Sequence, residues 1–211
     1  MKTLLTLLTC LFLLSPTVVM SETVKFEDLV GRKGLYYQKS SDVPFSGTVT
    51  GQSKGKIKKG KLDGPWVGYY DNGKLSNKGT FKYGKEEGLW VSYYDNGQLE
   101  YKGTYKDGKP EGQWVFYHKN GQLDSKGHYK DGKKDGLWEQ YYKNGQLQSK
   151  EHYKDGVKDG LWETYHENGQ LKSKGTYKDG KPEGPWVNFK SDGTVNKKLT
   201  GTYKNGKKIS D

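Results

Sequence analysis

The sequence predicts an all-β chain, an elongated antiparallel meander of 24-residue β-hairpin repeats. Three observations predict it. Tryptophans stand at 66, 90, 114, 138, 162 and 186, at a constant spacing of 24 residues. Each is followed six residues later by a turn pair, from Asn72-Gly73 to Asp192-Gly193. Such a pair between apolar strands is a strong hairpin signal, because both residues tolerate positive φ. Between the turns the chain alternates with period two. Leu99, Tyr101, Gly103 and Tyr105 point one way and Glu100, Lys102 and Thr104 the other, which leaves one packed and one wet face. Turn signals fall too close together for a helix, and recurrent glycine disfavours one.

The elements follow in chain order. Residues 1–21 read as a secretory signal: a basic tip at Lys2, an apolar run from Leu4 to Leu14, and Ser21 suited to cleavage. That run is shorter than the roughly 20 residues that span a bilayer. Cys10, after Leu7-Leu8-Thr9, raises lipidation as an alternative. Residues 22–62 form a degenerate half-repeat that caps the array, with Tyr36, Tyr37, Phe45 and Val49 in place of a tryptophan.

Residues 63–206 hold six repeats, each with a first strand starting at the Trp and a second running from a Leu to a later Tyr. Trp114 and Tyr117 are an odd number apart, so either a bulge re-aims one or both faces carry cover. The second-strand glycines Gly79, Gly103, Gly127 and Gly175 leave room for a neighbouring ring. Glu151 takes that slot once, which predicts a local distortion or an exposed aromatic beside it. Between Val195 and Tyr203 the spacing stretches by two, which places a bulge or loop in the last hairpin; residues 207–211 read as a frayed tail. About twelve strands at ~4.8 Å separation are expected, with a continuous stripe of rings as core and no deep pocket.

Composition narrows the function. The chain has 211 residues, a formal charge of +11, 31% hydrophobic residues but 14% aromatic ones, and one cysteine. Too few aliphatic residues remain for a buried parallel sheet, and one cysteine builds no disulfide scaffold. The aromatic content separates the chain from disordered sequences of similar charge.

The unit Gly88-Leu89-Trp90-Val91-Ser92-Tyr93-Tyr94-Asp95-Asn96-Gly97-Gln98-Leu99 closely resembles the MORN-repeat variant of bacterial proteins. So do Tyr177 to Trp186, and Pro44 to Val49 as an entry segment. The resemblance covers roughly residues 35 to 206. It implies a binding protein with no catalytic residues to carry over. Members are often labelled antitoxin components of toxin–antitoxin systems, and other MORN-repeat proteins are membrane-proximal scaffolds or phospholipid binders.

The residues themselves offer no catalytic or metal constellation and imply no cofactor. His128 and His152 share one slot and His118 and His166 another, too far apart to chelate one ion, so they read as polar surface residues. Glu87, Glu111, Asp135, Asp159 and Glu183 recur evenly, which suggests turn chemistry or surface ion pairs rather than one special acid–base pair. Two sets of candidate binding residues remain. Lys78, Lys102, Lys126, Lys150 and Lys174 form a column on the wet face, suited to an anionic lipid or envelope polymer or to keeping the sheet solvated. Tyr70, Tyr94 and Tyr142, from the tyrosine pairs, offer ring platforms for a sugar or a quaternary amine, or else core packing.

The leading expectation is a non-enzymatic protein–protein interaction scaffold, secreted or periplasmic in the cell envelope, with a toxin-neutralising role as one form of it. The alternatives are anionic lipid or polymer binding through the lysines, and carbohydrate binding through the tyrosines. Nucleic acid is a poor fit for an exported chain.

Overall fold

The computed structural model describes residues 22–211. The expected signal over 1–21, cleavage after Ser21 and lipidation at Cys10 lie outside the described residues. The cap contains β1 (Glu22–Lys25), β2 (Leu29–Arg32), β3 (Leu35–Gln38), β4 (Gly47–Thr50), β5 (Ser53–Lys58) and β6 (Lys61–Leu62). The repeats begin with β7 (Gly64–Tyr69), β8 (Leu75–Lys82), β9 (Lys85–Tyr93), β10 (Leu99–Lys106), β11 (Lys109–Tyr117) and β12 (Leu123–Lys130). They continue with β13 (Lys133–Lys134), β14 (Gly136–Tyr141), β15 (Leu147–Lys154), β16 (Val157–Tyr165), β17 (Leu171–Lys178), β18 (Lys181–Asn188), β19 (Gly201–Lys204) and β20 (Lys207–Ser210).

Eighteen of these strands form one sheet, more than the twelve expected, because the cap contributes several and bulges split others. From β4 onward sequential neighbours pair antiparallel. β1 joins β4 in parallel, and β2 and β3 make a separate hairpin. Residues 207–210 do not fray. Asn205 and Gly206 adopt positive φ and turn the chain back onto β19.

The two turn types exchange the roles expected of them. At Asp107-Gly108 both residues have positive φ (51° and 78°), so this is the two-residue hairpin turn. At Asn96-Gly97 only the glycine does (91°), and the loop is longer: Tyr94 N–H reaches Gln98 O and Gly97 N–H reaches Tyr94 O, both at 2.8 Å. The tight Asp-Gly turn lets pairing resume at once, so the first strands start at Lys85 and Lys109, five residues before the tryptophan.

The stripe of rings runs along one face. Phe81–Trp90, Tyr105–Trp114 and Tyr129–Trp138 meet edge to face at 5.0, 4.9 and 4.9 Å. The indole N–H of Trp90, Trp114, Trp138 and Trp186 each donates to a second-strand carbonyl at 3.1–3.2 Å. A side chain on Gly79, Gly103, Gly127 or Gly175 would collide with the indole of the following tryptophan, so those glycines keep the ring's place. At the N-terminal end Leu29, Phe45, Val49 and Ile57 join Trp66 and Trp90 in a small aliphatic core. Burying a side chain such as Val49 contributes about 1.5–3 kcal/mol.

Trp and Tyr three residues apart lie on opposite faces, so both faces carry cover. Tyr141 and Tyr165 donate to Glu139 and Glu163 on the wet side, while Trp138 and Trp162 sit in the stripe. Bulges are present as well, after Phe116 and its counterparts. One bulge breaks the alternation expected at Glu100, whose carboxylate accepts from Ser92 Oγ at 2.7 Å.

Candidate docking face

The wet face has one row that crosses the whole array. Register alone orders it as Val67, Lys78, Val91, Lys102, Val115, Lys126, Glu139, Lys150, Glu163, Lys174, Val187. All five predicted lysines therefore share one line, but their neighbours divide it. Lys126 Nζ pairs with Glu139 and Lys174 Nζ with Glu163, each at 2.9 Å. The hydrogen bond from Lys126 holds the Glu139 carboxyl below its ordinary range and raises Lys126 above its own. Lys150 lies between the two glutamates. Lys78 and Lys102 instead sit between valines, and among the described residues no ion pair holds either.

The adjoining row carries exposed leucines in both halves: Leu89, opposite Thr104, is 64% exposed, and Leu137 and Leu161 are 42% and 39% exposed. Pro65, Val67, Lys78, Thr80, Leu89 and Val91 line a shallow depression of about 270 Å³. In the central row the N-terminal half thus sets unpaired lysines among valines, and the C-terminal half neutralises itself. The residue after each tryptophan carries this signal: Val67, Val91 and Val115, then Glu139 and Glu163, then Val187. Reading the lysine slot without its neighbours misses it.

The predicted tyrosines are anchored by their hydroxyls. Tyr70, Tyr94 and Tyr142 donate their hydroxyls to the carbonyls of Tyr93, Tyr117 and Tyr165 in the next repeat, at 2.6, 2.8 and 2.8 Å. Burial, then the nearby Glu100, pushes the Tyr70 and Tyr94 hydroxyls above their ordinary range. His118 and His166 occupy the same slot and bond the Tyr141 and Phe189 carbonyls at 2.9 and 3.2 Å. They are half-buried inter-repeat ties rather than free surface residues. The recurrent carboxylates serve the turns. Glu87, Glu111, Asp159 and Glu183 accept from the backbone N–H of Asp107, Asp131, Asp179 and Asn205 at 2.8–3.2 Å. No group of three or more His, Cys, Asp or Glu that could hold a metal occurs among the described residues. There is likewise no helix long and apolar enough to cross a membrane among them.

A long antiparallel sheet whose ring stripe, Tyr70, Tyr94 and Tyr142 hydroxyls and turn carboxylates join one repeat to the next, and which presents a broad face, defines a repeat protein of the binding-module class. The chain belongs to the MORN repeat variant family, whose model matches residues 62–83, 86–107, 110–131, 134–155 and 158–179, just over half the chain. MORN repeats are typically modules that bind proteins or membranes, and their all-β scaffold is a repeat-binding fold rather than a known enzyme family. No curated protein matches the chain at a significant level.

Proposed function

We propose that this chain is a non-enzymatic protein-docking scaffold of the cell envelope, which grips an acidic, apolar segment of its partner on the wet face between Pro65 and Val115. The observation that carries this is the divided lysine row. Lys78 and Lys102 stand unpaired among Val67, Leu89, Val91 and Val115, while the C-terminal lysines are faced by their own glutamates. A partner side chain such as leucine fits beside Leu89, and flanking carboxylates fit the two lysines. An extended anionic polymer is less well served, because Glu139 and Glu163 interrupt the column it would follow. The apolar run Leu4–Leu14 delivers the chain to the envelope in this reading. Masking a toxic partner is one form the scaffold takes.

The test places a photo-crosslinker at Leu89 and, separately, at Leu161, in cells carrying the full chain. The expected result is an acidic protein crosslinked from position 89 and not from 161, lost on Lys78→Glu plus Lys102→Glu and kept on Lys150→Glu. Equal crosslinking from both positions, or recovery of anionic lipid or polymer with no protein, overturns the reading.

A further inference from the structure

Six Asn-Gly pairs occur; Asn205-Gly206 makes the tight β19–β20 turn, and in the other five, at 72, 96, 120, 144 and 168, each asparagine ties one repeat to the next. Its Oδ1 accepts from the backbone N–H two residues on, at 2.9–3.0 Å. Its Nδ2 donates to a carbonyl 23 residues later: Asp95, Lys119, Lys143, Glu167 or Ser191. The turn of the last repeat supplies a control. With no further repeat to bond, its residue is Asp192, which keeps the acceptor role toward Thr194 N and Oγ1 and has no amide to donate. The amide is therefore present for the inter-repeat bond.

Asn-Gly is also the sequence most prone to lose that amide. The backbone nitrogen of the glycine attacks the asparagine Cγ and forms a new C–N bond. The Cγ–Nδ2 bond breaks, and Nδ2 leaves as ammonia with the proton from the attacking nitrogen. Water then opens the five-membered imide at either carbonyl to give aspartate or isoaspartate. Attack requires the glycine N–H to leave its turn bond, 2.8 Å to the residue three before it at all five sites, and the side chain to leave its own bonds, which at Asn120 and Asn168 include a third, from Nδ2 to Gln122 or Gln170 Oε1 at 3.2 and 3.3 Å. The ladder thus protects what the sequence makes labile.

Among the five inter-repeat ties, protection is weakest at Asn168. Its Nδ2 bond to Ser191 is 3.3 Å, against 2.9 Å for Asn72, Asn96 and Asn120 and 3.1 Å for Asn144. The repeat that supplies Ser191 is also loosely packed. Beyond Asn188 the strand pairing of its hairpin is reduced, among the described residues, to the isolated Phe189–Val195 bridge. Val195 and Leu199 are both nearly half exposed, and Trp186 is not fully buried as the five earlier tryptophans are. Segments with few buried contacts open most often. We infer that Asn168 is a site of spontaneous deamidation in the folded protein, converting an internal tie into an aspartate or isoaspartate that has no amide to donate and releasing the terminal hairpin.

Peptide mapping by mass spectrometry, on the folded chain held at mildly alkaline pH, follows ammonia loss at each site. Asn168 is expected to convert at least about tenfold faster than Asn96 or Asn120, and the five sites to converge in denaturant. Trp186→Ala, which loosens the terminal hairpin, is expected to speed Asn168 and leave Asn96 unchanged. Equal rates across the folded array, a faster internal site, or an Asn168 rate unmoved by Trp186→Ala overturns the inference.

Discussion

The seam between β10 and β11 and the seam between β15 and β16 solve one packing problem in two ways. In the first, Gly103 leaves space for Trp114. Trp114 then sits 4.9 Å from Tyr105 at 90°, donates to Thr104 O at 3.2 Å, and is 3% exposed. In the second, Glu151 stands opposite Trp162 and is itself only 6% exposed. The Tyr153–Trp162 distance opens to 6.3 Å, and Trp162 closes on Tyr177 at 5.0 Å. Trp162 makes no carbonyl bond of the kind seen at Trp114 among the described residues; the His152 ring donates to Leu161 O instead. The pairing moves with the ring: the register shift that falls between Lys102 and Thr104 in the first seam falls between Glu151 and Tyr153 in the second. The distortion expected beside Glu151 is thus present in the strand pairing and in the ring positions, whereas no aromatic among the described residues is exposed there: Trp138 and Trp162 stay buried at 1% and 9% exposure.

The buried carboxylate also has companions that the regular seam lacks. Tyr153 donates its hydroxyl to Glu151 at 2.8 Å. Lys134 Nζ lies 4.1 Å above the Trp138 ring and Lys158 Nζ 3.9 Å above Trp162. The corresponding positions around Gly103 are Glu86 and Pro110. The largest expected effect follows: Gly103→Glu, with no lysine to receive the charge, costs at least about 3 kcal/mol in urea unfolding. Adding Glu86→Lys and Pro110→Lys recovers part of the loss. A single-variant cost under about 1 kcal/mol would mean that the glycine is not keeping space for the ring.

Truncating the rings themselves gives a smaller contrast. Trp114 touches Tyr101, Tyr105, Phe116 and Tyr129, and Trp114→Ala is expected to cost about 3–5 kcal/mol. Trp162→Ala is expected to cost about 1 kcal/mol less, because its indole bond is already gone. Equal losses in parallel thermal melts would show that the displaced ring is packed as well as the regular one.

Much of this contrast is legible in the sequence, since the 24-residue period makes any departure visible. Glu151 in a glycine slot marks the irregular seam, and Lys134 and Lys158 on either side of it mark the compensation. Other features depend on geometry that spacing does not carry. Asn-Gly and Asp-Gly look alike as turn signals, and only backbone dihedrals tell which turn is tight. Glu100 reads as wet-facing until a bulge turns it toward Ser92. The tyrosine pairs read as platforms because the carbonyl that binds each hydroxyl belongs to the next repeat. The division of the lysine row was readable, but only by comparing Val91 with Glu139 across the pairing register.

The smallest effect is the most specific to the seam. Burial, with the neighbouring Tyr101 second, pushes the Tyr105 hydroxyl from its ordinary value of 10.0 up to about 12. Tyr153 is raised further, first by burial and then by the hydrogen bond and charge of Glu151. Between pH 10 and about 12 the unfolded chain has released the proton that folded Tyr105 still holds. The folded state then binds more protons, so stability falls as pH rises through that window. Both tyrosines contribute to this alkaline loss, with Tyr153 holding its proton to higher pH. In an NMR titration of ring-labelled tyrosine, Tyr105 is expected to ionise before Tyr153. Glu151→Gly removes the carboxylate and is expected to bring Tyr153 down toward Tyr105, while Tyr105 stays where it is. Should Tyr153 ionise first in the parent chain, the buried glutamate is not facing its hydroxyl, and the irregular seam needs another cause for its displaced ring.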